Sequence, residues 1–171
     1  TSVASNVSDL ITDRILTPSF SADNSSIETR FSSDSGNSDS VSQKVHESTA
    51  LRVALIDSNL QSLAATKNAF DSIGASSLVY NSGAKFEESY EPGKFDLIVL
   101  DVLINDKSGY RILTSLKNQY NAPPIVVYSE SSQRELIIKV LSSGAKSYLV
   151  KPQKPNVLIQ KCLNIFCLHI K

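Results

Sequence analysis

From residue 52 onward the chain repeats one unit five times. A short apolar run is followed by polar residues and then by a stretch with apolar side chains at helical spacing. The runs are Arg52–Ile56, Leu78–Tyr80, Leu97–Leu100, Ile125–Tyr128 and Tyr148–Val150. The first predicted helix starts at Leu60, continues through Leu63, Ala64, Lys67, Phe70 and Ile73, and is closed by Gly74. A second, weak one spans Gly83 to Tyr90, and a third runs from Gly109 to Tyr120. Ser132 and Glu135 have capping-box spacing for a fourth, which reaches about Ser142 before Gly144. Pro155 suits the first position of a fifth, running to about His169. Short apolar strands alternating with helices require right-handed crossovers and a parallel sheet covered on both faces. The expected fold is therefore α/β: a doubly wound, five-stranded parallel sheet with helices on both faces.

The residues before this region are of another kind. Residues 1–50 carry 7 acidic and 3 basic side chains, against 10 and 14 in residues 51–171, so the formal net charge of zero is a sum of unlike parts. Fourteen of the first fifty residues are serine. A segment this polar cannot bury enough apolar surface to offset its ordering entropy, and residues 1–50 are read as a flexible, acidic, Ser-rich linker. Within it, Val7, Leu10, Ile11 and Ile15 recur at helical spacing, so a short helix over residues 7–16 is expected, with Ser8 as cap and Pro18 ending it. His46, beside Glu47, has no apolar helical pattern around it and is read as solvated linker. Residues 51–171 form the second unit, long enough for a single core.

Several function classes are excluded early. No apolar run approaches the ~20 residues needed to cross a bilayer. No dense basic stripe marks direct nucleic-acid binding. Cys162 and Cys167 stand five apart, without the Cys/His set of a zinc site, and are read as reduced thiols on or near a helix. Thr at position 1 and the absence of Met point to a piece of a longer protein.

In a doubly wound sheet the site forms at the carboxyl ends of the strands. Here the first strand ends in Asp57, the third in Asp101 and the fourth in Ser129, and the fifth runs into Lys151. Each alone reads as a turn or a helix cap. Together they place two carboxylates, a hydroxyl and an ammonium at one sheet edge. Converging carboxylates repel unless a cation lies between them, and hard oxygen donors suit Mg²⁺. An ammonium and a hydroxyl opposite them suit an incoming phosphoryl group. The set reads as metal-assisted phosphoryl chemistry on a carboxylate.

Residues 51–170 resemble the receiver domain of two-component response regulators. The resemblance rests on Ala54-Leu-Ile-Asp57, Phe95-Asp-Leu-Ile-Val-Leu-Asp101 with Gly109-Tyr110 eight residues on, Pro124-Ile-Val-Val-Tyr-Ser129, and Gly144-Ala-Lys-Ser-Tyr148-Leu-Val-Lys151-Pro152. It implies a CheY-like, flavodoxin-like fold and phosphorelay signalling. In that likeness Asp101 is the phospho-acceptor, and Asp57, Asp101 and the backbone carbonyl of Leu103 hold Mg²⁺. Ser129 and Lys151 contact the phosphoryl group, and Ser129 with Tyr148 forms the switch. The Lys151–Pro152 bond is expected to be cis. The implied partner is a histidine kinase or a histidine phosphotransfer protein, and the implied output is a rearranged face of the fourth helix, fifth strand and fifth helix. The implied setting is the C-terminal receiver of a hybrid histidine kinase or of another multidomain signalling protein. The implied location is the cytoplasm, with any membrane tether lying in a missing N-terminal part. Such a domain assists its own phosphorylation rather than turning over a substrate, so this segment is not expected to be an enzyme by itself.

Three positions depart from the family pattern. The second of two adjacent acids after the first strand is Ser58, at best a weak metal ligand, which weakens the expected Mg²⁺ binding. The small residue after the switch hydroxyl is Glu130. The loop proline after the third strand is Asn105. These changes keep a second reading open, a degenerate receiver acting as a phosphorylation-independent interaction module. A flavin site is opposed by Asp57, which would repel phosphate. A phosphatase with an aspartate nucleophile lacks a second acid at position 103, which is Leu.

Overall fold

The computed structural model describes residues 50–106 and 108–170, and the expected helix over residues 7–16 and His46 lie outside them. Strands β1 (Arg52–Ile56), β2 (Ser76–Tyr80), β3 (Leu97–Leu100), β4 (Ile125–Ser129) and β5 (Ser147–Val150) form one sheet in the order β2-β1-β3-β4-β5. Every pairing is parallel. Helices α1 (Leu60–Asp71), α2 (Gly83–Ser89), α3 (Gly109–Lys117), α4 (Arg134–Ser142) and α5 (Pro155–His169) connect and follow the strands.

The three central strands β1, β3 and β4 are largely apolar because both faces of the sheet are covered there, whereas the edge strand β2 opens with Ser76-Ser77 and leaves Leu78 and Val79 part-exposed. Ala54, Ile56, Ile98, Leu100 and Val127 pack with Phe86 of α2, Ile112, Leu113 and Leu116 of α3 and Val140 of α4. The alternate residues Val53, Leu55, Leu97, Val99 and Val126 are equally buried, as are Leu63 and Phe70 of α1 and Leu158, Ile159 and Cys162 of α5. At the end of β2, Tyr80 meets Phe86 edge-on at 5.3 Å between ring centroids. Burial pushes the Cys162 thiol up to about 12, and both cysteines are free on α5, as expected.

The helix starts and stops follow the local chemistry, with three differences. Asn59 caps α1 by accepting from the amides of Gln61 and Ser62. Gly74 and Gly144 take positive φ where the chain leaves α1 and α4, and Pro155 opens α5. The capping box at Ser132 is not formed. Helix α4 begins at Arg134 behind Gln133, with no side-chain cap, because Ser131 Oγ and the Ser131 carbonyl hold the preceding loop extended. Helix α3 stops at Lys117 rather than Tyr120, and the chain turns through Asn121 at φ 58°. Leu60, assigned above to the apolar face of its helix, is 66% exposed, and Leu63, Thr66, Ala69 and Phe70 form the buried side.

Candidate functional site

Strands β1, β3 and β4 run side by side, so Asp57, Asp101 and Ser129 leave the sheet at neighbouring points. The Asp57 amide donates to Tyr80 and the Asp101 amide to Ile56 (3.0 and 2.8 Å). The Lys151 amide donates to the Ser129 carbonyl at 2.9 Å, which brings the residue after β5 to the same edge. Asp57, Asp101 and Ser129 are all buried.

One ammonium holds the pocket together. Lys151 Nζ donates to Asp57 Oδ2 at 2.6 Å and to Asp101 Oδ2 at 2.7 Å, with 7% of its side chain exposed. Burial alone would depress the lysine, but the two carboxylates outweigh it and hold its pKa above the ordinary value. The remaining oxygens are engaged too. Asp101 Oδ1 accepts from Ser129 Oγ at 2.6 Å and from the Leu103 amide at 2.8 Å. Asp57 Oδ1 accepts from the Asn59 amide at 2.8 Å. Among the described residues, no buried side-chain nitrogen or oxygen lacks a partner.

The loop after Asp101 is braced from both sides. A Cβ on Gly109 would lie 2.7 Å from Val102 Cα and 2.8 Å from the Asp101 carbonyl, so only glycine lets α3 start this close to Asp101. Asp106 accepts from Ser108 Oγ (2.5 Å), the Ser108 amide (3.2 Å) and the Ala84 amide at the start of α2 (3.0 Å). Burial acts to raise the Asp106 carboxyl, and these hydrogen bonds outweigh it and hold it below the usual range. Tyr148 lies in β5 and donates its hydroxyl to the Ser131 carbonyl at 2.7 Å. The Lys151–Pro152 bond is cis. Ser58 is half-buried beside Asp57.

The pocket's donor chemistry fits a hard cation. The two carboxylates, Asp57 and Asp101, offer hard oxygen donors, and Mg²⁺ takes few protein ligands while keeping several waters. The set is sparse: among the described residues, no group of three or more Asp, Glu, His or Cys side chains is placed to hold a metal.

All the residues expected at the strand ends are thus brought to one edge. Two contributors were not anticipated. Asp106 braces the loop across 22 residues, and Tyr128 accepts from the Gln153 amide at 3.0 Å while its ring centroid stands 5.4 Å from Lys151 Nζ. Neither pairing leaves a local sequence signal, although an Asp-x-Ser sequence is a recognisable turn former.

Residues 53–163 match the model of the response regulator receiver domain. The chemotaxis protein CheY of Bacillus subtilis is 30% identical over 101 residues, which cover 57% of this chain and 81% of that protein. The transcriptional regulatory protein MalR of the same organism is 42% identical over 57 residues, 33% of this chain and 24% of that protein. The chain spans about a quarter of the length of MalR and of the alginate regulator AlgB of Pseudomonas putida. Among solved structures, a CheY-like receiver domain protein from Methanospirillum hungatei superposes with a TM-score of 0.64 at 19% identity, covering 69% of this chain and 94% of that one. The BeF3-activated receiver domain of DrrB, a Thermotoga maritima regulator, gives 0.62 at 24% identity, covering 69% and 97%.

Proposed function

The chain belongs to the response regulator receiver domain family, and from that premise we propose that Asp101 accepts a phosphoryl group from a phosphohistidine. The observation that carries this reading is the Lys151 ammonium shared by Asp57 and Asp101, with the Ser129 hydroxyl on the other Asp101 oxygen. Asp101 Oδ2 attacks phosphorus in line. The new P–O bond forms as the P–N bond breaks, and the histidine nitrogen leaves with the electron pair. Lys151 then moves its hydrogen bond from the carboxylate to a phosphoryl oxygen, and Ser129 Oγ turns from Asp101 to another. Asp57, Asp101 and the Leu103 carbonyl would hold Mg²⁺, which when bound offsets charge on the phosphoryl oxygens. Ser58 in place of a second acid weakens that site.

The signal leaves through the β4–α4 loop. Ser131 lies two residues beyond Ser129, and its carbonyl holds the Tyr148 hydroxyl. A Ser129 drawn to the phosphoryl group loosens that contact and shifts the population of the α4-β5-α5 face. The partner is a histidine kinase or a histidine phosphotransfer protein, at a cytoplasmic location.

A competing reading takes the chain as a phosphorylation-independent interaction module. It is favoured by the lysine that already pairs with both carboxylates and by the missing third acid. Incubation with saturating Mg²⁺ and beryllofluoride or a small phosphodonor separates the two. The proposal expects an adduct on Asp101 by intact mass and amide shifts at Ser129 and Tyr148. No adduct and no shifts would leave the module reading standing. The Ser58→Asp variant is expected to bind Mg²⁺ about tenfold more tightly, some 1.4 kcal/mol, by titration of those amide shifts.

A further inference from the structure

We propose that Tyr128 is a positioning residue for Lys151. Beyond β5 the chain must carry the Lys151 ammonium back over the pocket and hold it there. The backbone leaves the sheet through Pro152, which has no amide hydrogen, so the next available donor is the Gln153 amide. Its acceptor is the Tyr128 hydroxyl at 3.0 Å, while Gln153 Nε2 donates to the Val150 carbonyl at 2.7 Å. The turn that carries Lys151 is therefore fastened to β4 by a side chain of β4.

The same residue meets the ammonium. Lys151 Nζ stands 5.4 Å from the Tyr128 ring centroid, in a pocket where Tyr128 is 8% exposed and the lysine side chain 7%. Two of the three N–H groups of the ammonium go to Asp57 and Asp101, and the electron-rich ring lies within cation–π range of the same nitrogen. When Asp101 becomes an acyl phosphate, one of those carboxylate partners is lost. The ring and the Gln153 tie do not depend on the charge of Asp101, so they keep the ammonium at the pocket while its partner changes from carboxylate to phosphoryl. Tyr128 touches no reacting atom in this arrangement and acts through Lys151 alone.

The inference rests on the reading of Lys151 as the charge partner of the phosphoryl group, and its first test does not. An ordered, buried ammonium gives a resolvable ¹H–¹⁵N signal in NMR, which a freely exchanging surface lysine does not. In the unphosphorylated protein that signal is expected to be present, assigned by its loss in Lys151→Arg, and to disappear in Tyr128→Leu. Tyr128→Phe should retain it with faster exchange. Progressively fluorinated phenylalanines at position 128 keep the site filled while draining the ring face, and the signal should weaken in step with fluorination. This series decides the matter even if Tyr128→Leu fails to fold. The second test is the rate of Asp101 phosphorylation by a small phosphodonor, expected to fall about tenfold in Tyr128→Leu and less than about threefold in Tyr128→Phe. An ammonium signal indifferent to ring fluorination, or variants that differ in thermal midpoint but not in that signal, would overturn the inference. If the wild-type protein takes no phosphoryl group, the reading of Lys151 fails, and the ammonium signal alone still judges the role of Tyr128.

Discussion

The pocket at the ends of β1, β3, β4 and β5 and the helix α4 beside it are held by different physics. In the pocket, four side chains from four strand ends satisfy one another, and three of the four residues are buried. In α4, one residue of nine is fully buried, Val140, with Leu136 partly buried against the same core. The helix start has no side-chain cap, and Ile138 and Leu141 are 53% and 42% exposed. Its far end is tied instead. Tyr110 and Ser143 share a hydrogen bond of 2.5 Å, Lys117 Nζ donates to the Ser142 carbonyl at 2.9 Å, and Lys139 Nζ lies 4.6 Å from the Tyr110 ring centroid. An element anchored at one end by few buried contacts opens more easily than one locked by buried charge. The difference separates a charge-locked pocket from a loosely held surface beside it.

Removing the pocket's cation tests that contrast most severely. Lys151→Met leaves two buried carboxylates without a counter-charge and should cost about 3–5 kcal/mol of stability by denaturant titration, with loss of the Asp101 adduct. A loss below about 1 kcal/mol would show that the pocket is not charge-locked. Val140→Ala empties the single deep anchor of α4 and should cost about 2 kcal/mol. Amide exchange across residues 134–142 should accelerate there while β1 and β3 stay protected, and uniform acceleration would erase the distinction. Tyr110→Phe removes one hydrogen bond at the tied end and should cost about 1 kcal/mol, with faster exchange confined to the last turn of α4.

The smallest effect lies at an exposed ion pair. Arg52 meets Asp96 with side chains 49% and 26% exposed. Burial acts to raise the Asp96 carboxyl, yet the hydrogen bonds from Arg52 outweigh it and hold it below the usual range. A depressed carboxyl stabilises the fold above its unfolded pKa, and that contribution is lost as pH falls through the folded value. Arg52→Ala should therefore cost no more than about 1 kcal/mol near neutral pH, with the gap from wild type closing in acid. A gap that widened in acid would reverse the assigned sign.

What could be read in the sequence follows from the range of the interactions. Each strand end is marked by an apolar run meeting a polar residue, so Asp57, Asp101, Ser129 and Lys151 could be placed at strand ends, and it was their joint occurrence that pointed to a site. The starts of α1 and α5 were legible for a related reason, since the helical pattern begins at Leu60 and Pro155 fits only a first turn. Ser132 and Glu135 had the spacing of a cap and made none, because the loop before α4 is held from outside by Tyr148, sixteen residues from Ser132. Asp106 and Tyr128 escaped notice because their partners lie 22 and 25 residues away.

The order of the elements, the covering of the central strands on both faces and the polar residues at the strand ends were all legible in the residues alone. Those are consequences of periodicity and of local turn chemistry, which act over a few residues. How the charges pair depends on contacts between distant parts of the chain. Lys151 meets Asp57 across 94 residues and Asp101 across 50, and it rests near Tyr128. Proximity of that kind comes from strands folding side by side, and burial then makes the pairing strong enough to define the site.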